Sequence, residues 1–167
     1  MSQYQTLPSV HFDPHPSQTF LSRYPANKTA LYIEPRASVK FLVPLLLHMM
    51  MVVPPDWRFV FMGSQATVDR VRSNYAANMY EALGKLRVTS LEESGWSRDW
   101  SRHGWDERGV MGTDEMMSRL LTNMTFYDRE LAGTEWLMVW HSDAILCANA
   151  EQSLDEWLGW DWVGAPW

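Results

Sequence analysis

The sequence predicts an α/β fold, a mostly parallel sheet with helices on both faces. Three observations carry that expectation. Short apolar runs recur at residues 29–34, 57–62 and 136–140, the mark of strands buried on both faces. Between the first three strand candidates lie helical stretches, so that strand, helix, strand, helix, strand follow one another, an order that implies right-handed crossovers and a parallel sheet. The chain has 167 residues, 46% hydrophobic and 20% charged. That is one ordinary domain, able to bury about 70% of its unfolded surface without a disulfide.

Each element has its own justification. Residues 1–28 are rich in Pro, Ser, Gln and His and read as a flexible arm preceding an α/β domain over residues 29–167. No apolar block follows a basic start, so the arm is not a secretory signal. Thr29-Ala30-Leu31-Tyr32-Ile33-Glu34 is the first strand. Ser38 is a candidate cap for the next helix, which runs to about Met51; Pro44 is tolerable only in its first turn, which moves the start toward Lys40. The apolar stretch 41–53 contains Pro44 and His48 and is shorter than the roughly 20 residues that span a bilayer. Residues 57–62 form the second strand, closed by Gly63-Ser64.

Val68, Val71, Tyr75, Met79 and Leu83 stand three and four apart, which predicts one amphipathic helix over residues 67–83 capped by Gly84. Residues 86–91 alternate well enough for a third strand. Residues 92–113 hold Trp96, Trp100 and Trp105 among polar residues, a long loop that is either functional or disordered. Residues 114–123 and 126–131 read as a broken helical pair. Trp136-Leu137-Met138-Val139-Trp140 is the clearest strand and runs directly into His141-Ser142-Asp143. Residues 153–160 suit a short helix, and residues 161–167 a strand or turn.

Several function classes lose support at once. The net charge of 14 − 20 = −6 argues against a nucleic-acid partner bound through phosphate neutralisation. The only cysteine, Cys147, follows Ile145-Leu146 and reads as a small buried residue, which excludes disulfide scaffolds and cysteine-based zinc sites. There is no G-x-G-x-x-G, Walker loop, G-x-S-x-G or H-E-x-x-H. The sequons at Asn27 and Asn123 read as chance matches. No membrane segment is expected, and localisation stays open: soluble by default, secretory only with an N-terminal anchor.

What remains is a constellation at one sheet edge. In open α/β sheets ligands bind outside the carboxyl ends of the strands, where Glu34, Arg36, Gly63, Ser64, His141 and Asp143 would stand. Asp143, with a hydroxyl and an imidazole beside it, suits a divalent ion that keeps water and takes ligand phosphates. The competing reading makes Asp143 a turn cap, and Glu34 with Arg36 a solvated ion pair. His48 reads as a satisfied core histidine; His11, His15 and His103 show no ligand spacing.

The motifs A-L-Y-I-E-P-R (30–36), L-V-P-L-L-L-H (42–48), P-D-W-R-F-V-F (55–61), W-H-S-D-A-I-L-C (140–147) and D-W-V-G-A-P-W (161–167) occur in this order. Together, over residues 29–167, they resemble a domain-of-unknown-function family, frequent in fungi, that is grouped with GT-A-type nucleotide-sugar glycosyltransferases. The resemblance implies the Rossmann-like nucleotide-sugar-binding half of a GT-A domain. It implies a nucleotide-sugar donor near Glu34, Arg36, Ser142, Gly164 and Trp167, and Mn²⁺ or Mg²⁺ held by Asp143 and His141. Here His141 stands where that family usually carries Gln. The family also continues past Gly-Ala-Pro-Trp into an acceptor and catalytic half, so the resemblance implies an incomplete C-terminus and assigns no catalytic residue. Two alternatives stand beside it: a truncated, non-catalytic chain or pseudo-enzyme, and a carbohydrate-binding module that stacks sugars on the tryptophan-rich loop. Ten tryptophans, nine of them from Trp96 onward, motivate the last; packing of that loop as a lid is its rival.

Overall fold

The computed structural model describes residues 27–96 and 113–164, together with Tyr24. Strands β1 (Lys28–Ile33), β2 (Arg58–Gly63), β3 (Leu86–Ser90) and β4 (Trp136–Trp140) form one sheet in the order β3-β2-β1-β4. All three pairings are parallel, with Thr29 opposite Arg58, Thr29 opposite Leu137, and Phe59 opposite Leu86. The expected fold class holds. β1 and β2 are buried from their second residue to their last, which is why they read as uninterrupted apolar runs rather than alternating ones.

Both faces are covered. Ala30, Tyr32, Phe59, Phe61, Leu86, Val88 and Trp140 share one core with α1 (Leu42–Val52), α2 (Gln65–Arg72) and α3 (Tyr75–Ala82). Leu31, Ile33, Val60 and Met62 point the other way, onto Met117 and Leu120 of α4 (Thr113–Leu121) and Phe126 of α5 (Met124–Glu130). The chain therefore moves β1 to β2 to β3 in one direction across one face. It then crosses back over the other face to add β4 beside β1.

Three local expectations are corrected. The amphipathic stretch 67–83 is two helices, because the Asn74 side chain accepts from the N–H groups of Ala76 and Ala77 and starts a new helix in mid-pattern. Capping of this kind competes with helix continuation while the apolar spacing runs on unbroken. Gly84 does close the second helix, at φ +74°. Ser38 caps nothing: the residue preceding α1 is Phe41, which makes no side-chain cap, and Pro44 falls in the first turn. Residues 153–160 contain only a 3₁₀ helix, Leu154–Trp157, closed at its start by a Ser153/Glu156 capping box, and residues 161–164 form no strand.

Of the N-terminal arm, residues 1–23 lie outside the described residues, as do His103, Trp100, Trp105 and Trp167. No helix among the described residues is long and apolar enough to cross a membrane.

Candidate functional site

β1 connects onward to β2 on one side, while β4 arrives on the other, so the strand order reverses between β1 and β4. At such a reversal the loops leaving the two strands diverge over opposite faces and leave a crevice at their carboxyl ends. Glu34 and Arg36 leave β1 there, and His141, Ser142 and Asp143 leave β4.

Glu34 extends β1 by one residue, its N–H donating to Met62 O at 2.9 Å. Its side chain is 2% exposed, a burial that a carboxylate tolerates only when paired. The partner is Arg36. Its Nε donates to Oε1 at 2.9 Å, Nη2 donates to Oε2 at 2.8 Å, and its own backbone N–H donates to Oε1 at 2.9 Å. This fork is bidentate, so it fixes direction as well as charge. The expectation of a solvated ion pair is thus corrected: the carboxylate is buried and only the guanidinium reaches solvent. Nη2 then donates to Ser142 Oγ at 3.0 Å, joining the two loops across the reversal. The hydrogen bonds that Arg36 donates to Glu34 hold its guanidinium even more firmly protonated than usual, and Asp143 adds to this.

Each loop is braced from outside the edge. Arg70 of α2 donates to Val39 O at 2.6 Å and to Lys40 O at 2.5 Å, gripping the chain after Arg36. Beyond β4, Ala144 N–H donates to His141 O at 3.1 Å, so residues 141–144 make a turn with Asp143 exposed at it. His48 Nε2 lies 3.0 Å from Leu146 O, and Leu146 N–H donates to Met49 Sδ at 3.4 Å. His48 is satisfied, as expected, and its satisfaction ties α1 to the segment that carries Asp143. Gly63 is required by space: a Cβ there would stand 2.1 Å from Thr67 Oγ1 and 2.8 Å from Glu34 O. Ser64 is spent on capping α2, its Oγ accepting from Thr67 N–H.

Beneath the edge lies a pair that sequence reasoning left as core. Tyr32 and Trp140 are register partners, stacked at 5.0 Å between centroids. Tyr32 Oη and Trp140 Nε1 are buried and meet no hydrogen-bond partner among the described residues. Burial first, then Glu34, pushes the Tyr32 phenol well above its ordinary value; Asp143 acts in the same direction and Arg36 against it. Polar tips at the carboxyl ends of two apolar strands were the available signal. For Arg70 there was none, since its partners lie about thirty residues away.

The structure therefore joins Glu34, Arg36 and Ser142 directly and sets Asp143 and His141 in the adjoining turn. It does not join Gly164 to them. The described neighbour on its Cβ side is the Trp162 indole, 3.3 Å from where a Cβ would stand. The segment leading to it is anchored near the opposite end of the sheet, where Asp155 accepts from Trp57 Nε1 at 2.7 Å and Lys28 Nζ at 3.0 Å. Cys147 is exposed rather than buried, because the segment after β4 runs over the surface. Trp96 is core: it is 9% exposed, donates from Nε1 to Glu130 at 3.1 Å, and packs edge-on to Phe126 with Arg129 over its ring. A buried indole offers no platform to a sugar.

Among the described residues no group of three or more His, Cys, Asp or Glu gathers as a metal cluster. No curated protein and no solved structure matches the chain. One family does: residues 106–167, which include β4 and the His141–Asp143 turn, match the family described as a protein of unknown function, DUF5672.

Proposed function

We propose that this chain binds a nucleotide sugar at the β1/β4 edge, together with a divalent cation, as a glycosyltransferase-like domain that passes the sugar to an acceptor. The observation that carries this reading is the convergence of Arg36, Ser142 and Asp143 at the strand-order reversal, the place where open α/β sheets take their ligands.

The charges at the edge explain why a cation belongs to the reading. Glu34 neutralises Arg36, and Asp143 adds a further negative charge. A diphosphate arriving at that edge meets no net positive field from these three groups. Asp143 and His141 are donor types that Mn²⁺ accepts while keeping positions for water and ligand phosphates; Mg²⁺ fits through the carboxylate. Such an ion, when bound, neutralises charge that develops on a departing nucleoside diphosphate. The protein's own share is positional. Glu34 orients the Arg36 fork toward the crevice, Ser142 sets its reach, and Arg70 and His48 hold the two loops at fixed separation.

Calorimetry with UDP- and GDP-sugars, with and without Mn²⁺, tests the proposal. Binding that appears only with the cation, and weakens at least tenfold in Asp143→Asn, is expected. Absence of cation-dependent binding to every donor tried would sink it.

A further inference from the structure

Two arginines stand side by side on the sheet face that α4 and α5 cover. Side chains alternate along a strand, so Arg58 of β2 shares that face with Val60 and Met62. Arg87 of β3 is the register partner of Val60, which makes it the diagonal neighbour of Arg58, and it faces Glu130 at the end of α5.

The charges here do not balance. Arg87 Nη1 reaches Glu130 Oε2 at 3.3 Å, and Nη2 donates to Glu130 O. Trp96 Nε1 donates to Oε1 of the same carboxylate at 3.1 Å, with Arg129 3.9 Å from it. One buried carboxylate thus already serves two guanidiniums and an indole. On its other side Arg58 has the register partner Thr29, whose hydroxyl meets that of Thr134 at 2.9 Å, so that flank is polar and uncharged. Among the described residues Arg58 makes no ion pair or hydrogen bond, and the Nε atoms of both arginines are buried donors without an acceptor. Burial first, then the like charge of Arg87, pulls the Arg58 guanidinium below its ordinary value. A half-buried cation set against a second cation costs stability.

We propose that Arg58 and Arg87 form a binding site for a phosphate dianion, held as inorganic phosphate or as the terminal group of a small monoester. Charge selects this ligand. Arg58, Arg87 and Arg129 carry three positive charges and Glu130 one negative, leaving two in excess. A phosphate monoester brings about −1.5 to −2 near pH 7 and balances them, whereas a carboxylate leaves the site positive. The terminal nitrogens of Arg58 are its reachable donors, a planar fork that matches phosphate oxygens. Arg87 supplies the adjoining charge, and Glu130 keeps it from swinging away. The site stands apart from the β1/β4 edge and does not depend on donor binding there.

Calorimetry of the full chain with inorganic phosphate, at constant ionic strength, tests the proposal. One phosphate per chain is expected, with acetate binding far more weakly. Arg58→Gln removes a side chain that no described partner needs. It should weaken phosphate binding roughly tenfold or more, the worth of a charge-assisted contact. Without phosphate the same variant should unfold at an equal or higher temperature, because a repulsion is gone. Arg58→Lys keeps the charge and loses the fork; it is the second variant should the first fail to fold, and weaker binding is expected there too. Asp143→Asn should leave phosphate binding unchanged. Methyl phosphate separates the two sources: affinity matching that of inorganic phosphate assigns a monoester, and its loss assigns free phosphate. No phosphate binding, acetate binding equally well, or binding that survives both Arg58 variants overturns the proposal, as does binding lost in Asp143→Asn.

Discussion

The two ends of the sheet are built from similar residue types and do different things. At the amino end Lys28 reaches Asp56 at 2.8 Å and Asp155 at 3.0 Å, Trp57 donates to Asp155, and Lys85 Nζ donates to Pro55 O at 2.7 Å. These groups all have partners within the protein, and they clamp the 3₁₀ helix to the base of β1 and β2. At the carboxyl end the Glu34–Arg36 fork is equally tight. There, however, the guanidinium reaches solvent, Asp143 is exposed, and Tyr32 Oη and Trp140 Nε1 lack described partners. Asn27 Oδ1 and Arg58 Nε at the amino end also lack described partners. What sets the carboxyl end apart from that clamp is therefore the charge it presents to solvent, on Arg36 and Asp143, where Lys28, Asp56 and Asp155 spend theirs on internal partners. Breaking each end should therefore separate folding from binding.

The largest effect is expected from Arg36→Ala. It leaves the buried Glu34 carboxylate without its guanidinium, and removing one partner of a buried pair costs about 3 kcal/mol. Chemical denaturation should show that loss, and donor binding should vanish with it. Glu34→Gln should cost less, because Arg36 is 41% exposed and can turn to water. Equal losses from the two substitutions would contradict the burial asymmetry.

Next comes the pH dependence of the amino end. Lys85 is 3% exposed, and burial pulls its ammonium down to about 8. The folded state thus releases the proton before the unfolded chain does, so the unfolded state binds more protons between pH 8 and 10.5. Stability must rise with pH in that window, by roughly 1.5 kcal/mol from pH 8 to 9.5. Above pH 10 the raised Tyr32 opposes the rise, since the unfolded phenol ionises while the folded one does not. Lys85→Met should flatten the rise between pH 8 and 9.5; a slope unchanged by that substitution would assign it elsewhere. Asp155→Ala is the next smaller test. It frees Trp57 Nε1 and one Lys28 contact for about 1 kcal/mol, and it should leave donor affinity unaltered if the two ends are independent.

The same contrast marks how much could be read from the chain. Strands β1, β2 and β4 were legible as apolar runs, which complete burial explains for β1 and β2, while β4 is apolar throughout but half-buried up to Trp140. The convergence of Glu34, Arg36 and the His141–Asp143 turn follows from strand ends alone. The split at Asn74 was not legible, since one side-chain cap interrupts a helix whose apolar spacing continues through it. Nor were the clamps by Arg70 and Asp155, which join residues 31 and 127 positions apart. Periodicity describes which face is buried. It carries no information on which distant carbonyl a guanidinium finds.

The smallest expected effect tests whether the carboxyl end holds polar groups for a ligand. Tyr32→Phe removes only a hydroxyl that is buried without a described partner. If that hydroxyl served folding, its loss would destabilise the chain; a buried polar group lacking a hydrogen bond instead costs free energy, so its removal should stabilise by up to about 1 kcal/mol. The ring, its stacking on Trp140 and its edge contact with Phe61 at 5.6 Å all remain. Thermal unfolding of the two proteins without ligand reads the sign directly. A gain in stability accompanied by weaker donor binding would mark Tyr32 as belonging to the binding end of the sheet. A gain with unchanged binding would confine the ligand to Arg36, Ser142 and the Asp143 turn above it.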